Sequence, residues 1–181
     1  MAMFWIKTLL VLAFLGIGVI SSWGLTDHTL HLTSTQAFCG SCHSMKPMQA
    51  SFLRDTHGGN STTGIQALCT DCHLPHDSTI NYLWVKARSG AWDIWKEFVL
   101  GAEDVDWHAK RARANTYVYD SGCIKCHNNL QSGSGLDPAQ FVAHKPYFLG
   151  TIKDSCIDCH SVGHADLSRE LPPPPTAAIT E

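Results

Sequence analysis

The chain opens on an unbroken apolar stretch. Residues 8–25, TLLVLAFLGIGVISSWGL, hold no charged side chain, and Phe4, Trp5 and Ile6 extend the run beyond Lys7. About 20 such residues at ~1.5 Å rise cross the ~30 Å hydrocarbon core of a bilayer. Trp5 and Trp23 stand near its ends, where aromatic belts sit, and Lys7 ahead of it favours an inside N-terminus and an outside remainder. A cleaved signal peptide shares the basic start and apolar centre. No clean small-x-small site precedes Thr26, Ser21-Ser22 being the nearest approach. A retained anchor over residues 1–27 is the reading adopted.

Further along, the period changes. In residues 80–100, INYLWVKARSGAWDIWKEFVL, the positions Leu83, Ala87, Ala91, Trp95 and Val99 follow a helical repeat, and Trp84, Trp92 and Phe98 widen the stripe. An amphipathic helix stopped at Gly101 is expected. A second helix is expected over 102–119, with Glu103, Asp104 and Asp106 in its first turn and Lys110, Arg111 and Arg113 further on. Residues 55–67 and 128–138 are rich in Gly, Ser, Thr and Asn and read as loops. Four prolines between Leu171 and Thr176 predict an extended tail over 169–181. Strand alternation is nowhere sustained.

Composition narrows the class. A length of 181 residues allows one small domain with an appendage and excludes a TIM barrel. The formal net charge of -3 argues against a nucleic-acid partner. The outliers are 8 Cys and 11 His.

All eight cysteines fall into four Cys-x-x-Cys-His units: Cys39-Cys42-His43, Cys69-Cys72-His73, Cys123-Cys126-His127 and Cys156-Cys159-His160. This is the pattern of covalent haem c attachment. Two thiols one short turn apart each form a thioether with the porphyrin, and the adjoining imidazole reaches the iron. Structural zinc or disulfides would also use paired cysteines, but neither calls for a histidine after every pair. The expected fold is therefore mainly α: a multihaem cytochrome c with a haem-organised core, little strand and one N-terminal transmembrane helix. Haem would supply much of the core that so short a chain lacks, which couples folding to haem insertion. The soluble part, 28–168, divides into a haem pair (39–76), a helical connector (79–119) and a second haem pair (123–164).

Seven further histidines, His28, His31, His57, His76, His108, His144 and His164, are candidates for the second axial position, as is Met45. His/His ligation keeps a haem at low potential and Met raises it. His57, His144 and His164 stand nearest the second and fourth motifs and are favoured. His76 follows His73 too closely to reach the far face of the same haem easily.

The segments FCGSCHSM (38–45), THGGNSTTGIQALCTDCHLPHD (56–77), KARSGAWDIW (86–95) and VAHKPYFLGTIKDSCIDCHSVGHADL (142–167) resemble the NapC/NirT family of membrane-anchored tetrahaem quinol dehydrogenases. Within it they are most similar to the small-subunit (NrfH) type of cytochrome c nitrite reductase. The resemblance implies Met45 as ligand of haem 1, with His43 the alternative. It implies His73 with His164 on haem 2, His127 with His57 on haem 3, and His160 on haem 4. The exit haem of the small-subunit type can take a lysine from the catalytic partner. Here His144 resembles a NapC-type histidine that would fill that place internally, and the stretch before Cys69 is also longer, as in NapC.

The family's quinol site would correspond to Lys86 and Asp93. Seven residues are about two helical turns, so both lie on one face some ~10.5 Å apart, too far for an i,i+4 ion pair. They suit a ring carrying two oxygens: the aspartate accepts a proton, and the lysine stabilises charge on oxygen. Ordinary surface charges are the plainer alternative. The resemblance implies a quinol dehydrogenase of the cytoplasmic (inner) membrane with its haem domain on the periplasmic side. It would oxidise menaquinol and pass electrons through four haems to a periplasmic multihaem reductase, foremost a cytochrome c nitrite reductase, in a hetero-oligomeric complex. A NapC-type protein serving nitrate or another reductase, a passive tethered cytochrome, and a small reductase in its own right are the alternatives.

Overall fold

The computed structural model describes residues 1–102 and 105–171. Helix α1, Ala2–Leu32, runs for 31 residues. It is long and apolar enough to cross a membrane, and it is unburied by the rest of the chain. Its polar hydroxyls are satisfied within the helix: those of Thr8, Thr26 and Thr29 donate to the carbonyls of Phe4, Ser22 and Leu25. The helix continues past the 1–27 boundary expected from the sequence, so His28 and His31 ride on its last turns.

Short helices follow. They are α2 (Gln36–Cys39), a 3₁₀ turn (His43–Met45), α3 (Lys46–Arg54) and α4 (Cys69–His73). Helix α5 (Thr79–Trp95) passes into a π-helical turn (Lys96–Leu100). Ser78 caps α5 by accepting from the Asn81 N–H at 3.2 Å. The chain leaves the π turn at Gly101 with φ of 75°, which a residue with a Cβ adopts only under strain.

The expected single helix over 102–119 is not formed. Asp106 caps a short α6 (Trp107–Arg111), and a 3₁₀ turn at Ala114–Thr116 follows. Glu103 and Asp104 lie outside the described residues. Then come α7 (Asp120–Cys126), α8 (Asn129–Ser132), α9 (Pro138–Phe148), α10 (Cys156–Cys159) and α11 (Leu167–Glu170). The stretch read as a loop over 128–138 thus holds one short helix, and α11 takes the first residues of the expected tail. The prolines beyond Leu171 lie outside the described residues. Among the described residues there is no strand, only an isolated bridge between Gly58 and Gln66.

The apolar core is small. Phe52, Leu74, Leu167 and Leu171 are the buried hydrophobic side chains. Helix α11 packs on α3, where Arg54 pairs with Glu170 at 2.8 Å. The α5 stripe is not core: Trp84, Trp92, Trp95, Phe98 and Val99 are all exposed. The chain thus buries little apolar surface of its own, and helix caps and polar ties link its motif-bearing turns.

Candidate functional site

The second, third and fourth motifs are each carried on a short helix, which brings cysteines three apart to one side, whereas in the first Cys39 ends α2 and Cys42 is extended. No disulfide joins any two of the eight. Among the described residues no three or more Cys, His, Asp or Glu side chains converge as a closed metal site would require. In the second motif, Asp71 accepts from the Leu68 N–H at 2.9 Å. In the fourth, Asp158 accepts from the N–H and hydroxyl of Ser155 at 2.7 and 2.9 Å. In these two motifs the acidic residue between the cysteines therefore caps the turn that presents them.

The motifs meet in chain order. Cys39 and Cys69 are hydrogen-bonding neighbours, and the contact brings the Cys39 thiol down to about 7 and pushes Cys69 up. Cys72 lies within the field of Cys123 and Cys126, and burial pushes it up to about 11. Cys123 and Cys156 are again hydrogen-bonding neighbours, and Cys156 is pushed up to about 12, chiefly by burial. Asp120 ties the last two motifs together: one oxygen accepts from the Cys156 N–H at 3.0 Å, the other from the Tyr147 hydroxyl at 2.8 Å.

The histidines come together as three facing pairs. Ring centres of His57 and His127 are 6.3 Å apart, those of His73 and His164 6.2 Å, and those of His144 and His160 5.9 Å with planes 3° apart. Two imidazoles on opposite sides of one metal, each bound at roughly 2.0–2.1 Å, set their ring centres about 6.3 Å apart. Spacing alone does not single out ligands, because ordinary ring contacts span similar distances. The Nδ1 contacts are the more telling feature. Nδ1 of His57 faces the Asp55 carboxylate at 3.2 Å, that of His73 the Tyr117 carbonyl at 3.1 Å, that of His144 the Gln140 carbonyl at 2.8 Å and that of His164 the Met48 carbonyl at 3.1 Å. The carboxylate and carbonyl oxygens only accept, which places the proton on Nδ1 and leaves the Nε2 lone pair for a metal, the usual outer-shell arrangement of a ligating histidine; at His164 the Ser51 hydroxyl, which can take either role, is nearer still at 2.9 Å. Desolvation pushes His73 and His164 below the ordinary imidazole range, which keeps them in the neutral, metal-binding form. The donor set fits haem iron.

His76 is arranged the other way. Its Nε2 lies 3.1 Å from the Thr70 carbonyl and its ring packs on Tyr82, so the proton sits on Nε2 rather than Nδ1. His28 and His31 lie on α1, and His108 lies in α6. Met45 ends the 3₁₀ turn that begins at His43. Glu97, on the π turn, holds this segment by accepting from the backbone N–H groups of His43 and Ser44 and from the Ser44 hydroxyl at 2.6 Å.

Lys86 and Asp93 both lie on α5 and both act electrostatically on the Cys39 sulfur. Lys86 Nζ donates to the Ser34 hydroxyl at 2.7 Å and to the Leu30 carbonyl at 3.2 Å, so the end of α1 fixes its position. Desolvation raises Asp93 above the ordinary aspartate range despite the nearby Lys110 and Lys96 ammonium groups. Sequence reasoning missed Glu97, Asp55 and Asp120, and Ser34 with them. An Asp two residues before a candidate histidine was the available signal for Asp55. The orienting backbone carbonyls carry no signal in the sequence.

Residues 2–169 match the N-terminal region of the NapC/NirT cytochrome c family, and the chain belongs to that family. Over 166 residues it is 30% identical to the tetraheme c-type cytochrome CymA of Shewanella oneidensis, covering 83% of this chain and 87% of CymA. It is 36% identical over 163 residues to the cytochrome c-type protein TorY of Escherichia coli O157:H7, covering 82% of this chain but 43% of TorY. The chain therefore spans less than half the length of that relative. It is also 30% identical over 166 residues to NapC of Haemophilus influenzae, covering 86% of this chain and 78% of NapC. A chain in the crystal structure of the cytochrome c nitrite reductase NrfHA complex bound to the HQNO inhibitor superposes with a TM-score of 0.53 at 25% identity, covering 83% of this chain and 86% of that one. The mainly helical fold read from the sequence is thus the fold of this family.

Proposed function

We propose that the chain is a membrane-anchored quinol dehydrogenase carrying four haems c. When bound, the haems supply one-electron carriers in the order of the four motifs. The eight motif cysteines attach them. His57 and His127, His73 and His164, and His144 and His160 serve as three axial pairs, and Met45, or His43, serves the first haem. The three histidine pairs, with Nδ1 occupied on four of the six rings, carry the reading.

The quinol site is proposed at Lys86 and Asp93, beside the first motif. Asp93, desolvated and raised, accepts a hydroxyl proton, and Lys86 binds the second oxygen. Menaquinol is the proposed substrate. Helix α1 is the proposed single inner-membrane span, with the motifs on the periplasmic side. A periplasmic multihaem nitrite reductase is the proposed partner in a hetero-oligomeric complex, on the likeness to a chain of the NrfHA complex. A second reading, a NapC-type dehydrogenase serving another reductase, is supported by the His144–His160 pair, which completes the last site from within the chain. The purified, detergent-solubilised protein should be reduced by a naphthohydroquinone and should show four haems per polypeptide by pyridine haemochrome. A protein that no hydroquinone reduces is a passive carrier, and the proposal fails.

A further inference from the structure

Lys86 lies between the proposed quinol site and a polar cleft. We infer that the Ser34 hydroxyl and this cleft form the exit for protons released at Lys86. The inference rests on the quinol-oxidising reading and adds a route that the reading does not contain.

Ser34 follows the end of α1 and is buried, with 4% of its surface exposed. Its hydroxyl receives the Lys86 ammonium at 2.7 Å and itself donates to the Leu30 carbonyl. The Tyr82 hydroxyl is 3.5 Å away. That distance is long for a direct bond and leaves the transfer between them to water. Ser34 and Tyr82 both line a cleft of about 330 Å³, large enough for several waters. Besides Leu30, Leu68 and Thr70, its wall holds ionisable side chains: Asp27 and His31 of α1, His76, and the Asp71–Lys125 pair. An apolar lining would keep the cleft dry. This one supplies the polar partners that water needs.

The step balances. Oxidation of the hydroquinone breaks two O–H bonds, and two electrons leave, one at a time, to ferric haem c. One proton goes to the Asp93 carboxylate. For the other, Lys86 hands an N–H proton to the Ser34 oxygen while the Ser34 hydroxyl turns from the Leu30 carbonyl and gives its own proton to cleft water, and the lysine is recharged from the second quinol hydroxyl. A lysine that takes the second quinol proton has to pass one on, and the hydroxyl held at 2.7 Å is the neighbour that receives it. Ser34 is a positioning residue: it touches Lys86, not the substrate.

The test uses the full-length holoprotein in detergent with a reduced naphthoquinone as electron donor. Ser34→Ala should lower kcat about tenfold and leave KM within about twofold. Added imidazole, a diffusible proton carrier, should restore part of the loss, and Ser34→Thr should restore most of it, with haem absorption and potentials unchanged throughout. Tyr82→Phe, which keeps the ring and removes the cleft hydroxyl, gives the same test in miniature should Ser34→Ala not mature. Wild-type rates in Ser34→Ala, or in Tyr82→Phe if it alone matures, overturn the relay and leave the quinol reading standing. So does a loss accompanied by shifted haem spectra and no rescue by Ser34→Thr. A wild-type protein unreduced by any hydroquinone overturns both.

Discussion

Asp71 and Lys125 occupy the same place in successive motifs, the position just before the second cysteine, and their side chains pair at 2.8 Å. Asp71 uses its other oxygen to cap its own motif turn. One carboxylate thus shapes the turn that holds a cysteine pair and fixes its distance from the next pair. The backbone repeats the tie, since the Tyr119 N–H donates to the Cys72 carbonyl at 2.9 Å.

The pair is half exposed on the lysine side, so solvent screens it, and Lys125→Met should cost about 1 kcal/mol or less in thermal or denaturant unfolding. Its pH signature is sharper. Burial raises Asp71, but the Lys125 hydrogen bond and the Leu68 N–H outweigh it, and the folded carboxyl sits below the ordinary aspartate range. Stability from Asp71 is therefore full above the unfolded aspartate pKa and is lost as pH falls through the lowered folded value. Asp71→Asn should flatten that acid limb, which stability curves at graded pH would measure.

Gly122 stands directly before Cys123, where a Cβ would overlap the Asp71 carbonyl oxygen. The obstacle is backbone and cannot swing aside. Gly122→Ala should cost about 1–3 kcal/mol and push the second and third motifs apart. We expect lower haem content per polypeptide, read by pyridine haemochrome on purified protein.

His144→Ala discriminates between the two readings of the exit haem. If His144 is the internal ligand, the variant shows one more high-spin haem in EPR and optical spectra than the isolated wild type, whose first haem has Met45 or His43 alone. A wild type that is already high-spin at two haems would point to a ligand from the partner. Asp55→Asn, which weakens the carboxylate behind His57, should lower that site's ligand affinity by roughly 10- to 100-fold and shift its potential without unfolding the protein.

Asp93→Asn should reduce quinol oxidation by about 10²-fold or more and leave the haem spectra intact. Because desolvation raises the Asp93 carboxyl, the carboxylate that accepts a proton forms only above the usual aspartate range. Turnover of the wild type should therefore rise with pH through that raised value, and the variant should lose this limb. A pH–rate profile of hydroquinone-driven haem reduction reads both.

What could be read along the chain is what short-range interactions settle. The apolar composition of residues 8–25 identified α1, and the helical repeat from Leu83 to Trp95 identified α5, because helix hydrogen bonds join residues four apart. The cysteine spacing identified the attachment turns for the same reason. Periodicity could not say what the α5 stripe faces, since a core, a porphyrin and a lipid surface all accept the same apolar side chains. It also overextended the helix after Gly101, where Asp106 starts a new one. The pairing of His57 with His127 and of His73 with His164 came from family resemblance, not from spacing. Contacts between distant turns, Asp71 with Lys125, Asp120 with Tyr147 and Arg54 with Glu170, accompany the meeting of those rings. Such contacts, like the backbone carbonyls that set each imidazole's tautomer and the Ser34 hydroxyl that receives Lys86, exist only once the chain has closed on itself, and no local pattern encodes them.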